Sequence, residues 1–235
     1  MSPFLGEMIG TALLILLGDG VVANVVLKNT KGSNSGWIVI TFGWAMAVFV
    51  GVFSVAAVSG AHLNPAVTVA LAAAGKFSWA NVRTCLIAQM LGGALGALLV
   101  WLQYKSHFAI TDDRNLKLAV FCTAPQVRSP SSNFLSEAIG TFVLVFGVFS
   151  IAEPKVGLGA VNALPVSLLV LAIGLSLGGT TGYAINPARD LAPRLMHFIL
   201  PIPNKRDSDW SYAWIPVVAP IVGGLLAAYV FTALN

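Results

Sequence analysis

Charge is scarce in this chain. Only 9% of its 235 residues are Asp, Glu, Lys or Arg, against about 25% in soluble domains, and that shortfall excludes a solvated globular surface. The excess of 13 basic over nine acidic residues leaves a net charge of +4, too little and too dispersed for a nucleic-acid-binding face. Cysteine is limited to Cys85, in an apolar run, and Cys122, in a polar stretch, so no disulfide framework is expected. Neither thiol has a metal-ligating neighbour. The three histidines are scattered, and no nucleophile–base pair or metal cluster appears. An enzyme is therefore not expected, nor a metal or cofactor. The start, Met1-Ser2-Pro3, lacks a basic stretch, and its apolar run is too long for a signal peptide. It reads as a first span that is retained.

What the chain has in abundance is apolar surface. Hydrophobic residues make up 57% of it, and the mean hydropathy is +0.85. A bilayer core about 30 Å thick takes roughly 20 helical residues to cross. Six runs are long enough: 4–27, 37–58, 84–104, 134–152, 162–185 and 211–234, and four of them contain no charged residue. Barrel strands are shorter and alternate polar with apolar, so the expectation is an all-α, multi-pass membrane protein.

Two further runs are too short to span. Residues 64–74 begin Asn-Pro-Ala-Val-Thr, and residues 186–200 begin Asn-Pro-Ala-Arg-Asp. Asn caps a helix, and Pro at the first helical position lacks only a donor the helix would not use. Short helices that start this way between spans read as half-helices in re-entrant loops.

The chain also repeats. Phe-Leu-Gly-Glu-Met-Ile-Gly-Thr-Ala-Leu-Leu at 4–14 matches Phe-Leu-Ser-Glu-Ala-Ile-Gly-Thr-Phe-Val-Leu at 134–144, with seven identities in eleven and an offset of 130. Asn64-Pro65-Ala66 returns as Asn186-Pro187-Ala188 at an offset of 122, and Ala88–Gly93 returns as Ala219–Gly224 at 131. One domain, 1–235, thus divides into a first repeat at 1–104, a linker at 105–133 and a second repeat at 134–235. Three spans per half is an odd number, so the halves must be inverted about an axis in the membrane plane. Inversion brings the two half-helix starts together at mid-membrane, with Asn64 beside Asn186 and both positive dipole ends aimed at the centre. Such a centre repels cations and protons while donating hydrogen bonds to neutral oxygen.

Glu7 and Glu137 are repeat-related and lie within spans. Re-entrant loops carry backbone N–H groups that a membrane cannot satisfy, and each Glu is read as the acceptor for the loop of its own half. Asp190, in the first turn of the second half-helix, is read as a loop-orienting group that contacts no solute. Asp19 receives no role.

Two Asn-Pro-Ala boxes in inverted three-span repeats resemble the major intrinsic proteins, the aquaporins and glycerol facilitators. The strings Ser59-Gly60-Ala61-His62-Leu63-Asn64-Pro65-Ala66-Val67-Thr68 and Gly182-Tyr183-Ala184-Ile185-Asn186-Pro187-Ala188-Arg189-Asp190 carry the likeness, which extends over essentially the whole chain. Asp190 after Asn-Pro-Ala-Arg, with Arg194, Tyr104 and Pro216-Val217, is similar to the glycerol-conducting branch. The resemblance implies a selectivity filter of Trp44, Gly174, Tyr183 and Arg189, with Tyr183 where the best-known glycerol facilitators have Phe. Gly174 would be the vacancy that lets Trp44 and Tyr183 lie against the wall. The resemblance also implies pore-facing carbonyls at Gly60, Ala61, His62 and Leu63 and at Gly182, Tyr183, Ala184 and Ile185.

The function implied is a passive channel for glycerol, other small neutral solutes and water in the plasma membrane, closed to protons and ions, needing no cofactor and assembled as a homotetramer. A water-selective channel is the near alternative. A secondary transporter is the remote one, since inverted repeats and broken helices also occur there.

Overall fold

Ser2 starts the first helix by accepting the Leu5 N–H, and Pro3 takes the first helical position. In the computed structural model, which describes residues 1–151, 157 and 159–235, the chain from there on is helical. The elements are α1 (Pro3–Val26), α2 (Trp37–Ser59), α3 (Pro65–Ala73), α4 (Trp79–Ile110), α5 (Arg114–Phe121), α6 (Pro130–Ser150), α7 (Leu164–Ser176), α8 (Pro187–Ile199) and α9 (Ile215–Leu234), with a 3₁₀ turn at Gly159–Ala163 leading into α7. Six of these segments are long and apolar enough to cross a membrane, namely α1, α2, α4, α6, α7 with its leading turn, and α9. The expected six spans and two half-helices are all present. Ala152, at the end of the fourth expected run, lies outside the described residues.

Two spans differ most from expectation. The fifth run was expected to continue to residue 185, but α7 ends at Ser176. Gly182, Tyr183 and Ile185 all have positive φ, which no continuing right-handed helix allows. Tyr183 and Ile185 are apolar because they are buried, not because they cross. The third span, expected at 84–104, runs from Trp79 to Ile110. The segment after it is more than a tether: Phe108 and Phe121 stack with centroids 5.5 Å apart, and α5 packs on α1 and α8.

Packing follows the repeat. The α1–α4 contact is matched by α6–α9, while α3 packs mainly on α9 and α8 on α4, so each half-helix leans on the last span of the other half. Glycine permits the closest of these approaches. A Cβ on Gly92 would stand 2.2 Å from the Met8 carbonyl oxygen, and one on its repeat mate Gly223 would stand 2.1 Å from that of Ala138. At those two points the helices touch backbone to backbone, as membrane helices do through small residues.

The distribution of polarity is inverted relative to a soluble protein. Leu91, Leu95, Leu102, Leu168, Val222 and Leu226 face outward, whereas Glu7, Asp19, Glu137, Arg189, Asp190 and Arg194 are buried. A helix that is apolar all round is at home only in lipid or a large core. Charges placed inside such a bundle mark its working interior.

Candidate functional site

Each half-helix starts on a side-chain cap. Asn64 Oδ1 accepts the Ala66 N–H at 2.9 Å, and Asn186 Oδ1 accepts those of Ala188 at 3.0 Å and Arg189 at 3.2 Å. Pro65 and Pro187 occupy the first helical positions, with Ala66 and Ala188 packed behind them. The amides then cross over. Asn64 Nδ2 donates to the Ile185 carbonyl at 2.8 Å, and Asn186 Nδ2 donates to the Leu63 carbonyl at 2.9 Å. The two boxes are therefore stitched tip to tip, and each amide keeps one N–H free.

The backbone ahead of each box is turned by left-handed residues at matching places: Gly60, Ala61 and Leu63 in one half, Gly182, Tyr183 and Ile185 in the other, every pair offset by 122. Left-handed non-glycine residues cost of order 1–3 kcal/mol each and persist only when their surroundings hold them. Glu7 holds the first loop, accepting the His62 N–H at 2.9 Å and the Leu63 N–H at 2.8 Å. Glu137 holds the second, accepting Ala184 N–H at 3.0 Å and Ile185 N–H at 2.9 Å. Gln89 was not anticipated. Its Nε2 donates both to Glu7 at 2.7 Å and to Thr68 at 2.9 Å, and Thr68 in turn meets the His62 ring at 3.2 Å.

A cavity of about 330 Å³ runs past these groups. Trp44, Tyr183 and Arg189 line it together with Gly60, Ala61, His62, Leu63, Asn64, Ala184, Ile185 and Asn186. Leu14, Val48, Val52, Leu144, Val148 and Val170 supply an apolar wall. Loop backbone and Asn amides thus share the lining with aliphatic side chains, the mixture that sites for small ligands show.

Two expected site residues, Gly174 and Gly182, do not line it. Gly174 is set behind Tyr183: a Cβ there would lie 2.9 Å from Tyr183 Cζ and 3.0 Å from Thr41 Cγ2. It makes room for Tyr183 but not for Trp44. The vacancy for Trp44 is Gly18 on α1, where a Cβ would fall 2.2–2.4 Å from three carbons of the indole. Gly182 also lies off the cavity, its missing side chain facing Thr123. Leu63 and Ile185 do line it, but each carbonyl already accepts from the opposite Asn amide, which leaves it one lone pair for the cavity.

Arg189 Cζ stands 4.1 Å from the centroid of the Trp44 ring, and Arg189 Nη1 lies 3.7 Å from Asp19 Oδ1. Tyr183 meets Trp37 edge to face at 5.8 Å, and Trp37 Nε1 donates to the Gly174 carbonyl. Asp190 is turned away from the cavity. It accepts the Thr123 N–H and hydroxyl, both at 2.7 Å, and pairs with Arg194 at 2.8 Å. Arg194 also binds the Thr123, Ser208 and Asp209 carbonyls. This buried knot joins α8 to the segments on either side of it. Among the described residues no group of three or more His, Cys, Asp or Glu could hold a metal ion.

The profile of the major intrinsic protein family matches residues 1–231. A relative from Thermotoga maritima described as a probable glycerol uptake facilitator protein is 58% identical over 231 residues, 98% of either chain. The glycerol uptake facilitator protein of Bacillus subtilis is 51% identical over 99% of this chain and 85% of its own. The crystal structure of the aquaglyceroporin from Plasmodium falciparum superposes with a TM-score of 0.85 at 30% identity, covering 97% of this chain and 94% of that one.

Proposed function

The chain belongs to the major intrinsic protein family, and from that premise we propose that its cavity is a passive conduit for glycerol and similar small neutral solutes. The observation that carries this reading is the mixed lining of the cavity, in which the two box loops with their Asn amides stand alongside Leu and Val side chains. Glycerol has the matching form, hydroxyls on one edge and carbon on the other. No covalent chemistry or energy source is needed.

In this reading the solute moves in single file. Its hydroxyls donate to the loop carbonyls at Gly60, Ala61, His62 and Leu63 and at Tyr183, Ala184 and Ile185. They accept from the free N–H of Asn64 and of Asn186 at the centre. Trp44, Tyr183 and Arg189 form the constriction, with Gly174 as the space behind Tyr183. Protons and cations are turned back by the two half-helix N-termini and by Arg189, which together hold positive potential over the narrow part of the path. The subunits assemble as a homotetramer.

Purified protein in liposomes, mixed with glycerol, water-only osmolyte or a larger polyol in stopped-flow light scattering, tests this. Glycerol should enter at a rate proportional to its gradient and to protein content, with no effect of a sodium or proton gradient. Flux that saturates and follows such a gradient would assign the protein to secondary transport instead. Water flux without glycerol flux would make it a water-selective channel.

A further inference from the structure

We propose that Asp19 is the positioning residue of the Arg189–Trp44 stack, a carboxylate behind the cavity wall that fixes where the guanidinium stands and thereby how wide a solute passes. The proposal rests on the reading of Trp44, Tyr183 and Arg189 as the constriction.

Every other acid buried in the bundle interior is consumed by hydrogen bonds. Glu7 holds one loop and Gln89, Glu137 holds the other loop, and Asp190 holds Thr123 and Arg194. Asp19 is fully buried on α1, and neither of its oxygens has a hydrogen-bond partner among the described residues. It does not line the cavity, whereas Arg189 does. The group within ion-pair range is Arg189 Nη1 at 3.7 Å, and that nitrogen is likewise buried without a hydrogen bond. Two unsatisfied buried groups of opposite charge thus face each other across the wall. Among the described residues neither has a second charged partner within ion-pair range, and Arg194 is taken by Asp190.

The preceding residue completes the arrangement. Gly18 has no side chain where the Trp44 ring lies against α1, and the same ring carries the Arg189 guanidinium. Adjacent positions on one helix therefore seat both members of the stack, Gly18 by leaving room and Asp19 by attraction. A guanidinium with no acceptor behind it would swing toward whatever acceptor the lumen offers, because an unpaired buried charge is expensive. Asp19 holds Nη1 back against the wall and leaves the lumen open. It also offsets part of the positive charge that a solute meets at this point.

The test uses Asp19→Asn, Arg189→Ala and the double variant, each reconstituted, with glycerol and water permeabilities measured at matched content of folded protein. Asp19→Asn keeps the shape and removes the charge. It should lower the glycerol-to-water permeability ratio severalfold, since a loosened guanidinium obstructs the wider solute more. On the Arg189→Ala background the same substitution should change the ratio no further, a dependence that a merely structural role would not produce. An unchanged ratio in Asp19→Asn overturns the proposal, as does an equal change with and without Arg189. If Asp19→Asn fails to assemble, the double variant should assemble, because the stranded charge has gone; a double variant as defective as the single one overturns the proposal too. If Arg189→Ala by itself leaves the ratio untouched, the constriction has been misread, and that result is separable from any result at Asp19.

Discussion

Arg189 lies flat enough on Trp44 for its Cζ to stand 4.1 Å from the ring centroid. A cation over an indole face gains about 0.5–2 kcal/mol, the more so where water is excluded. The contact joins the first turn of α8 to α2, elements that meet only because the half-helices dip into the bundle. It also alters what the cavity meets at this point. The indole packs on α1 at Gly18 and on the guanidinium, so part of its surface is covered before a solute reaches it.

Gly18→Ala should disturb this contact from behind. The new Cβ would fall 2.2 Å from the Trp44 ring, and α1 cannot retreat from α4, which it meets backbone to backbone. The ring must shift toward Arg189 and the cavity. Ala is the better helix former by about 1 kcal/mol, so a loss of flux would not reflect a weakened helix. Glycerol permeability should fall more than water permeability in stopped-flow scattering at matched content of folded protein. Equal glycerol flux in the two proteins would show that the seat of Trp44 does not matter to passage.

Glu137→Ala should act on stability first. It strands the N–H groups of Ala184 and Ile185, at about 1–3 kcal/mol for each unsatisfied group, in a loop already held in left-handed conformations. The melting temperature in detergent should drop markedly. Glu137→Gln, which keeps one acceptor oxygen, should lose roughly half as much. A normal melting temperature combined with altered solute preference would move Glu137 from loop support to the pore.

The spans, the repeat and the half-helices were all legible in the sequence, because each is written locally. A bilayer imposes a length, Asn-Pro imposes a helix start, and duplicated strings lie side by side when aligned. What could not be read arises between distant segments. Residues 177–185 look like the end of a span by hydropathy, yet they are a loop whose last three residues, Tyr183, Ala184 and Ile185, are buried against the cavity; burial and membrane crossing leave the same apolar signature. Glycine told the same kind of partial story. Gly174 was legible as a vacancy, but which ring it admits depends on how α7 and α2 face each other, and Trp44 instead owes its room to Gly18. The Asp19–Arg189 pair was invisible for a related reason: α1 and α8 belong to different halves, and the repeat mate of Asp19 is not an acid. The crossed Asn amides follow only once two loops are seen tip to tip.

Asp190 and Arg194 should separate stability from selectivity. They form a fully buried pair one helical turn apart, and removing one partner leaves the other charged and alone, a loss of roughly 3–5 kcal/mol. Arg194→Met should lower the melting temperature severely and reduce the yield of assembled protein. Neither residue lines the cavity, so the glycerol-to-water ratio of the protein that does fold should match the parent. A shifted ratio at unchanged stability would mean that the knot acts on the constriction rather than on the surrounding loops.

Gly174→His should close the passage to glycerol by moving Tyr183. A Cβ at this position meets Tyr183 Cζ at 2.9 Å and its hydroxyl at 3.0 Å, and one turn further along, Gly178 already stands against the same ring, where a Cβ would reach Tyr183 Cδ1 at 2.4 Å. The ring is thus backed by glycine on the α7 side and cannot retreat there. Its backbone is pinned as well, with φ at 38° and the next two N–H groups held by Glu137. The remaining direction is into the cavity, which Arg189 also lines. Helix propensity does not oppose the change, since His is a slightly better helix residue than Gly, and the Trp37 bond to the Gly174 carbonyl is made by backbone and survives. Glycerol, wider than water, should lose nearly all of its flux while a substantial water flux persists. Gly174→Ala, which asks Tyr183 to give by only a few tenths of an ångström, should show a partial loss. Both solutes would be followed by stopped-flow scattering at equal content of folded protein. If the His protein folds and still passes glycerol at the parent rate, Tyr183 has an escape route and the size limit lies elsewhere along the path.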